Sequence, residues 1–92
     1  MISDQVIRSG CSIGANYRAA CRSKSRKDFI NKLKIVEEET DETLYWLEMI
    51  EKGNLVDPVR IRQLKQDTES LLSIFVASIK TARKNLDSKA KT

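Results

Sequence analysis

The sequence predicts an all-α protein, an up-down antiparallel bundle of three long helices in a single domain spanning residues 1–92. Only Pro58 and three glycines interrupt the chain, too few turn residues for an all-β domain. Apolar residues recur at spacings of three and four, which is typical of one face of a helix. Charged residues make up 33% of the chain, as expected for a folded protein with a polar surface. Two short loops place consecutive helices antiparallel.

The first helix is predicted over about residues 3–22, with Ser3 as its N-cap. Its expected buried stripe contains few large apolar side chains and several small ones. That stripe consists of Val6, Gly10, Ile13, Tyr17 and Ala20, at spacings of four, three, four and three.

Gly10 and Gly14 raise three alternatives for this helix. A phosphate-binding loop would need GxxxxGK or GxGxxG after a strand, and neither motif is present. A membrane GxxxG needs an apolar segment of about 20 residues, which is also missing. Residues at i and i+4 share a helix face, so the two glycines leave a flat notch that another helix can approach closely. The sequence therefore predicts that this glycine notch (Gly10 and Gly14) is a helix-packing surface.

The second helix is predicted over about residues 26–52, with Ser25 as its N-cap and Gly53-Asn54 at its end. Tyr45, Trp46 and Met49 lie beside its packed stripe, and these residue types favour interfaces between subunits. The expected stripe consists of Phe29, Leu33, Val36, Thr40, Leu44, Leu47 and Ile50.

The third helix is predicted over about residues 58–86, with Asp57 as its N-cap and Pro58 at its first position. A polar tail, residues 87–92, is expected to fray. The expected stripe consists of Ile61, Leu64, Thr68, Leu71, Leu72, Phe75, Ile79, Ala82 and Leu86.

Charge is segregated along the chain. The net charge is +6 over residues 1–34, −7 over 35–57 and +5 over 58–92. An up-down arrangement brings the end of the first helix, the start of the second and the end of the third to one end of the bundle. The predicted basic pole there consists of Arg22, Lys24, Arg26, Lys27, Lys80, Arg83 and Lys84. Such a pole attracts phosphate backbones, and it is equally what helix C-termini favour.

Catalytic and metal chemistry find little support in the sequence. There is no histidine, and Cys11 and Cys21 have no CxxC partner, so no metal site and no cofactor are predicted. The acidic run 37–43 is interpreted as a solvated face. Without a histidine-type base we expect no enzyme. The two thiols predict a reduced, cytoplasmic protein, and no apolar segment is long enough to span a membrane.

Residues 5–50 resemble the four-helix-bundle family of 23S rRNA-intervening sequence proteins. The resemblance rests on Arg8, Ser9, Ser12, Ile13 and Asn16, on Ser25, Asp28 and Phe29 within "RSKSRKDF", and on the Glu-rich segment that ends in "LYWL". It implies a small bacterial bundle that assembles as a homopentamer. The family is also similar to the accessory variability protein of diversity-generating retroelements, a basic pentameric barrel that binds a reverse transcriptase and nucleic acid.

Two departures from the family pattern stand out. The family usually has a Glu shortly after the Asn-containing segment, where this chain has Ala19 or Ala20. The family also has a complete helix before the "QVIRSG" segment. Either the start of the chain is truncated, or another chain covers the exposed groove.

Two functions follow as alternatives. One is a nucleic-acid or ribonucleoprotein adaptor that uses the basic pole, in a homo-oligomer that acts with RNA or DNA or with a protein partner. The other is a purely structural interaction module whose charges pair subunits, with Gly10, Gly14, Tyr17, Tyr45, Trp46 and Met49 as its contact residues. No membrane partner is expected in either case.

Overall fold

A computed structural model describes the backbone of residues 2–54 and 56–90 and the side chains of residues 4–54 and 56–86. The described residues form three helices, α1 (Ile2–Cys21), α2 (Arg26–Lys52) and α3 (Pro58–Ala90). The predicted all-α fold class is confirmed. The described part of the chain is elongated, with extents of 54 × 18 × 13 Å. None of its helices has the length and apolarity needed to cross a bilayer.

The predicted caps of α2 and α3 are confirmed. The Ser25 hydroxyl accepts a hydrogen bond from the Asp28 N–H at 3.1 Å, and the Asp57 carboxylate accepts one from the Val59 N–H at 3.0 Å. Gly53 closes α2 in right-handed geometry, with φ −82°, and Asn54 adopts the left-handed conformation, with φ 53°. Asn54 is therefore the residue that turns the chain toward α3.

One predicted cap and one predicted helix end are wrong. The first helix begins at Ile2, within one residue of the predicted start, but the Ser3 backbone therefore lies inside α1 and not at its cap. The third helix continues to Ala90, four residues beyond the predicted end at Leu86. The segment "DSKA" contains no Gly or Pro to stop a helix, and Lys and Ala favour helix continuation. Residues 91 and 92 of the predicted tail lie outside the described part of the chain.

The central helix α2 packs against both of its neighbours. Over the described residues no Cα atom of α1 lies within 8 Å of one in α3, whereas α2 approaches both helices. One core cluster contains Ala20, Leu33, Val36, Phe75 and Ile79, with Ile13 packed against it. A second cluster near the α2–α3 turn contains Leu47, Ile50 and Ile61, with Val6 against it. Because Val6 and Ala20 meet opposite ends of α2, the helices run up-down-up.

The buried stripes are narrower than the sequence predicts. In α1 the side chains of Ser9 and Ala20 are buried, Val6 and Ile13 are half-buried, and Gly10 and Tyr17 are exposed. In α3 Leu64 and Leu71 are also exposed. Each outer helix is covered by α2 alone at the backbone level, so only the residues that point directly at α2 become buried.

Candidate nucleic-acid interface

The turn between α1 and α2 forms the first half of the basic pole. The Arg22 N–H donates to the Ala19 carbonyl at 3.2 Å, and the Ser23 N–H donates to the Ala20 carbonyl at 3.1 Å. These two hydrogen bonds form the turn that ends α1. Ser25 then starts α2 within a few residues. The connection is therefore short, and the four basic side chains within it and at the start of α2 are all exposed. They are Arg22, Lys24, Arg26 and Lys27.

The last turns of α3 lie beside this connection. A groove of about 540 Å³ is lined by Arg26 and Phe29 of α2 together with Thr81 and Asn85 of α3. The start of α2 thus meets the end of α3, as the up-down arrangement predicts. Arg83 and Lys84 directly precede Asn85 in sequence, and both are exposed.

Lys80 lines a different groove from Arg26. This second groove has a volume of about 360 Å³, and Leu72 and Val76 line it together with Ala77, which also lines the first groove. Residues Leu72 and Val76 also face Lys34 and the acidic segment of α2 across the α2–α3 seam. The structure therefore places Arg26 beside the end of α3. It places Lys80 in the neighbouring groove, one turn before Lys84 on the same side of α3.

Few acidic side chains neutralise the positive charge of the basic pole. Asp28 is the nearest acid in sequence, and its carboxylate pairs with Lys32 at 3.1 Å. Within the described residues, none of the seven basic side chains of the pole forms an ion pair. The positive charges therefore face solvent, where they attract anions over roughly the Debye length of about 8–10 Å in physiological salt.

The glycine notch is open in this chain. Both glycines are exposed, and a Cβ atom placed on either would meet no atom within 4 Å outside its own stretch of helix. The predicted helix contact is therefore not made inside the described chain. A contact with a second chain stays a prediction.

The aromatic residues predicted at an oligomer surface fall in two places. Tyr17 is half-exposed and its ring lies 5.7 Å from that of Phe75, which links α1 to α3. Hydrogen bonding to the Cys21 thiol raises the pKa of Tyr17. Tyr45 packs edge-on against Trp46 at 5.0 Å, and the Trp46 indole N–H donates to Glu42 at 3.3 Å.

Sequence reasoning missed several exposed apolar side chains. Ile35 lies outside the predicted stripe of α2, and its side chain is 44% exposed. Ile74 in α3 is 57% exposed and lines the groove beside Arg26. A signal for both was available, because each is a large apolar residue that falls off the face defined by its neighbours.

The fold and its exposed basic end define a small helical-bundle protein with an uncompensated cationic surface. The chain belongs to the family of 23S rRNA-intervening sequence proteins, whose model matches residues 1–77. The match extends past the resembling segment into α3. The chain is also similar to a solved structure from Bacteroides thetaiotaomicron, a protein of unknown function from the S23 ribosomal protein family. The two are 39% identical, with a TM-score of 0.83 over 87% of this chain and 74% of the other. No curated protein matches the chain.

Proposed function

We propose that this protein is a non-enzymatic, self-assembling adaptor that binds RNA or DNA backbones through its basic pole. The observation that carries the proposal is the position of Arg26, which begins α2 directly after the α1–α2 connection and lies against the end of α3. Basic residues from distant parts of the sequence are thereby collected at one end of the bundle. Lys and Arg side chains that neutralise phosphates release counterions, and this supplies affinity without reading sequence.

Family membership supports a small helical bundle, and the resemblance to the accessory variability protein supports a basic assembly that contacts nucleic acid. The same resemblances favour a homopentamer. In a ring, the basic pole repeats around one rim and the fields of the copies add. We therefore expect binding to be weak for each copy, strengthened by assembly and nearly independent of sequence.

The test is the salt dependence of binding to a structured ribosomal RNA fragment. In one variant Arg22, Arg26 and Lys27 are all changed to Gln, and the slope of log affinity against log salt should fall by about one for each lost phosphate contact. The matched control changes Lys52, Arg60 and Arg62 to Gln. These three side chains are exposed at the opposite end of the bundle, and the net charge changes by the same amount.

Three results separate the alternatives. Weaker salt dependence in the pole variant alone supports the proposal. Equal losses in both variants would mean that net charge, and not the pole, governs binding. No binding by the parent chain at low salt would refute the adaptor role.

A purely structural role is the second candidate, and it is favoured by the acidic segment of α2. Glu38, Asp41 and Glu48 are exposed and make no ion pair within the described residues. Charges of both signs are thus available for pairing between subunits. Loss of assembly in the pole variant, measured by light scattering at micromolar concentration, would support this role over nucleic-acid binding. A monomeric parent would refute self-association.

A further inference from the structure

Two grooves adjoin at the start of α2. The α3 groove is the one of about 540 Å³ between α2 and the end of α3. The connection groove has a volume of about 360 Å³ and lies between α2 and the α1–α2 connection. Arg26 and Phe29 line both grooves, so the two grooves meet at these side chains. One depression with two halves therefore crosses the basic end of the bundle.

The α3 groove presents apolar surface to solvent. Its largest aliphatic side chain, Ile74, is 57% exposed, and nothing in the described chain covers it further. The groove also has polar lining from Thr81 and Asn85, whose hydroxyl and amide groups can donate and accept hydrogen bonds. Four of its eight lining residues are apolar, namely Phe29, Ile74, Ala77 and Ala82.

The connection groove is polar and cationic. Lys24 and Arg26 line it together with Ser23. Both basic side chains are exposed, and neither forms an ion pair within the described residues. The groove also lies at the N-terminal end of α2, where the helix dipole favours negative charge. This half of the depression therefore attracts an anion, whereas the α3 half attracts an apolar group.

We propose that the two grooves together hold one unpaired nucleotide of a single-stranded nucleic acid, with the base in the α3 groove and its phosphate in the connection groove. The inference rests on the nucleic-acid binding proposed above and names its site. A nucleotide joins a flat aromatic base to a negative phosphate, and the adjoining grooves offer the same two chemistries side by side. Bases stack on aromatic rings and on Arg guanidinium planes, and Phe29 and Arg26 supply one of each.

The size of the α3 groove suits a base. Sites for small molecules have volumes of about 300–1,000 Å³, and the α3 groove lies within this range. The hydroxyl of Thr81 and the amide of Asn85 can bond to the polar edge of a base without selecting one base over another. We therefore expect the groove to recognise an unpaired base and to show little sequence preference.

The groove and the basic pole lead to opposite expectations for duplexes. Phosphate contacts alone favour a duplex, because double-stranded DNA carries more charge per length and releases more counterions than a single strand. A base inside a duplex is paired and stacked, so it enters a groove only at the cost of unstacking. A preference for single strands would therefore come from the groove and not from the charge of the pole.

The first test compares three nucleic acids of equal length, each labelled with fluorescein and titrated with the parent chain. They are oligothymidylate, the same deoxyribose-phosphate backbone without bases, and the duplex of oligothymidylate with oligoadenylate. We expect oligothymidylate to bind about fivefold or more tightly than the base-free strand, because a stacked base adds affinity that the backbone lacks. The duplex should also bind more weakly than oligothymidylate.

Three outcomes of this test are distinguishable by fluorescence anisotropy. Tightest binding of oligothymidylate supports the groove. Equal binding of oligothymidylate and the base-free strand, or tightest binding of the duplex, overturns the groove and leaves backbone binding by the basic pole standing. No binding of any of the three at low salt refutes the adaptor role and this inference with it.

Substitution of Ile74 tests where the base lies. Ile74→Gln removes exposed apolar surface from the α3 groove and leaves the net charge unchanged. Affinity for oligothymidylate should fall about threefold or more, while the slope of log affinity against log salt stays that of the parent, because the phosphate contacts remain. The matched control is Leu64→Gln, another half-exposed apolar residue of α3 that lines neither groove. An equal loss in the control would overturn the site.

Substitution of Phe29 tests the stacking surface. Phe29→Leu removes the ring and keeps an apolar side chain at a position that also packs against the main core cluster. Affinity for oligothymidylate should fall and affinity for the base-free strand should not. If circular dichroism shows that this variant is unfolded, Ile74→Gln decides alone. Parental affinity for oligothymidylate in the folded variants would overturn the site. Parental affinity together with weaker assembly, measured by light scattering, would show that the groove is a contact between copies instead.

Discussion

The first two helices differ in charge and in the residues of their buried faces. Three charged residues lie in α1 and thirteen in α2. In α2 the buried side chains include Leu33, Val36, Leu47 and Ile50, and Leu33 and Val36 are almost fully enclosed. In α1 only Ser9 and Ala20 are buried among the described side chains. The central helix therefore supplies most of the apolar area on which the other two helices rest.

This difference shows how a short chain forms a layer of three helices. Since α1 and α3 do not approach one another through their backbones, both depend on α2 for burial. The inner face of α2 is consequently wide. It accommodates even Thr40, which is fully buried with its hydroxyl donating to the Val36 carbonyl at 2.7 Å. Damage to α2 should destabilise the whole chain, whereas damage to α1 should cost less.

The largest expected effect is that of Leu33→Ala in α2. Leu33 is 1% exposed in the main core cluster, so its truncation leaves a cavity and should lower the free energy of unfolding by about 2–5 kcal/mol. The matched variant is Ile13→Ala in α1, where a half-buried side chain packs against the same cluster. We expect a clearly smaller loss there. Urea denaturation followed by circular dichroism measures both, and equal losses would contradict the comparison.

The contrast between α1 and α2 also marks what the sequence could predict. The long stripe of α2 identified its buried residues well, since Leu33, Val36, Thr40, Leu44, Leu47 and Ile50 are all buried. The stripe of α1 did not, because Gly10 and Tyr17 are exposed while Ser9 is buried. Periodicity indicates a face only when large residues dominate it, and in α1 the small residues fit either side.

The basic pole was predictable only in part. The up-down arrangement and short loops suffice to bring Arg26 to the end of α3, and the groove they share confirms this position. The flank on which each lysine lies depends on the rotation of α3 about its own axis. That rotation is set by packing against α2, which is why the groove that Lys80 lines could not be predicted from spacing alone.

A smaller effect is expected at the junction between the two compared helices. Ser25→Ala removes the hydroxyl that accepts from the Asp28 N–H, and loss of such a cap costs about 1 kcal/mol. Ser23→Ala is the matched control, because the Ser23 hydroxyl makes only a long bond of 3.4 Å to the Ala19 carbonyl. The denaturant midpoint of Ser25→Ala should lie below that of Ser23→Ala. A larger loss for Ser23→Ala would show that the end of α1, and not the start of α2, fixes this turn.

The smallest effect expected is a gain, at Gly14 in α1. None of the described glycines has a positive φ, and a Cβ at Gly14 meets no atom within 4 Å outside its own stretch of helix. Gly14→Ala should therefore raise the free energy of unfolding by about 0.5–1 kcal/mol, because Ala restricts the unfolded chain and favours the helix. Gly10→Ala should gain a similar amount. The free energies of unfolding of both variants are measured at dilute protein concentration, and a loss of stability there would contradict the open position of the notch.

At concentrations where the protein assembles, the same substitutions test whether a second chain covers the notch. If another helix packs against the bare backbone, the added methyl groups will weaken assembly while each chain becomes more stable. If assembly is unchanged, the prediction that the notch is an oligomer contact is wrong, and the small residues of α1 serve another of its faces.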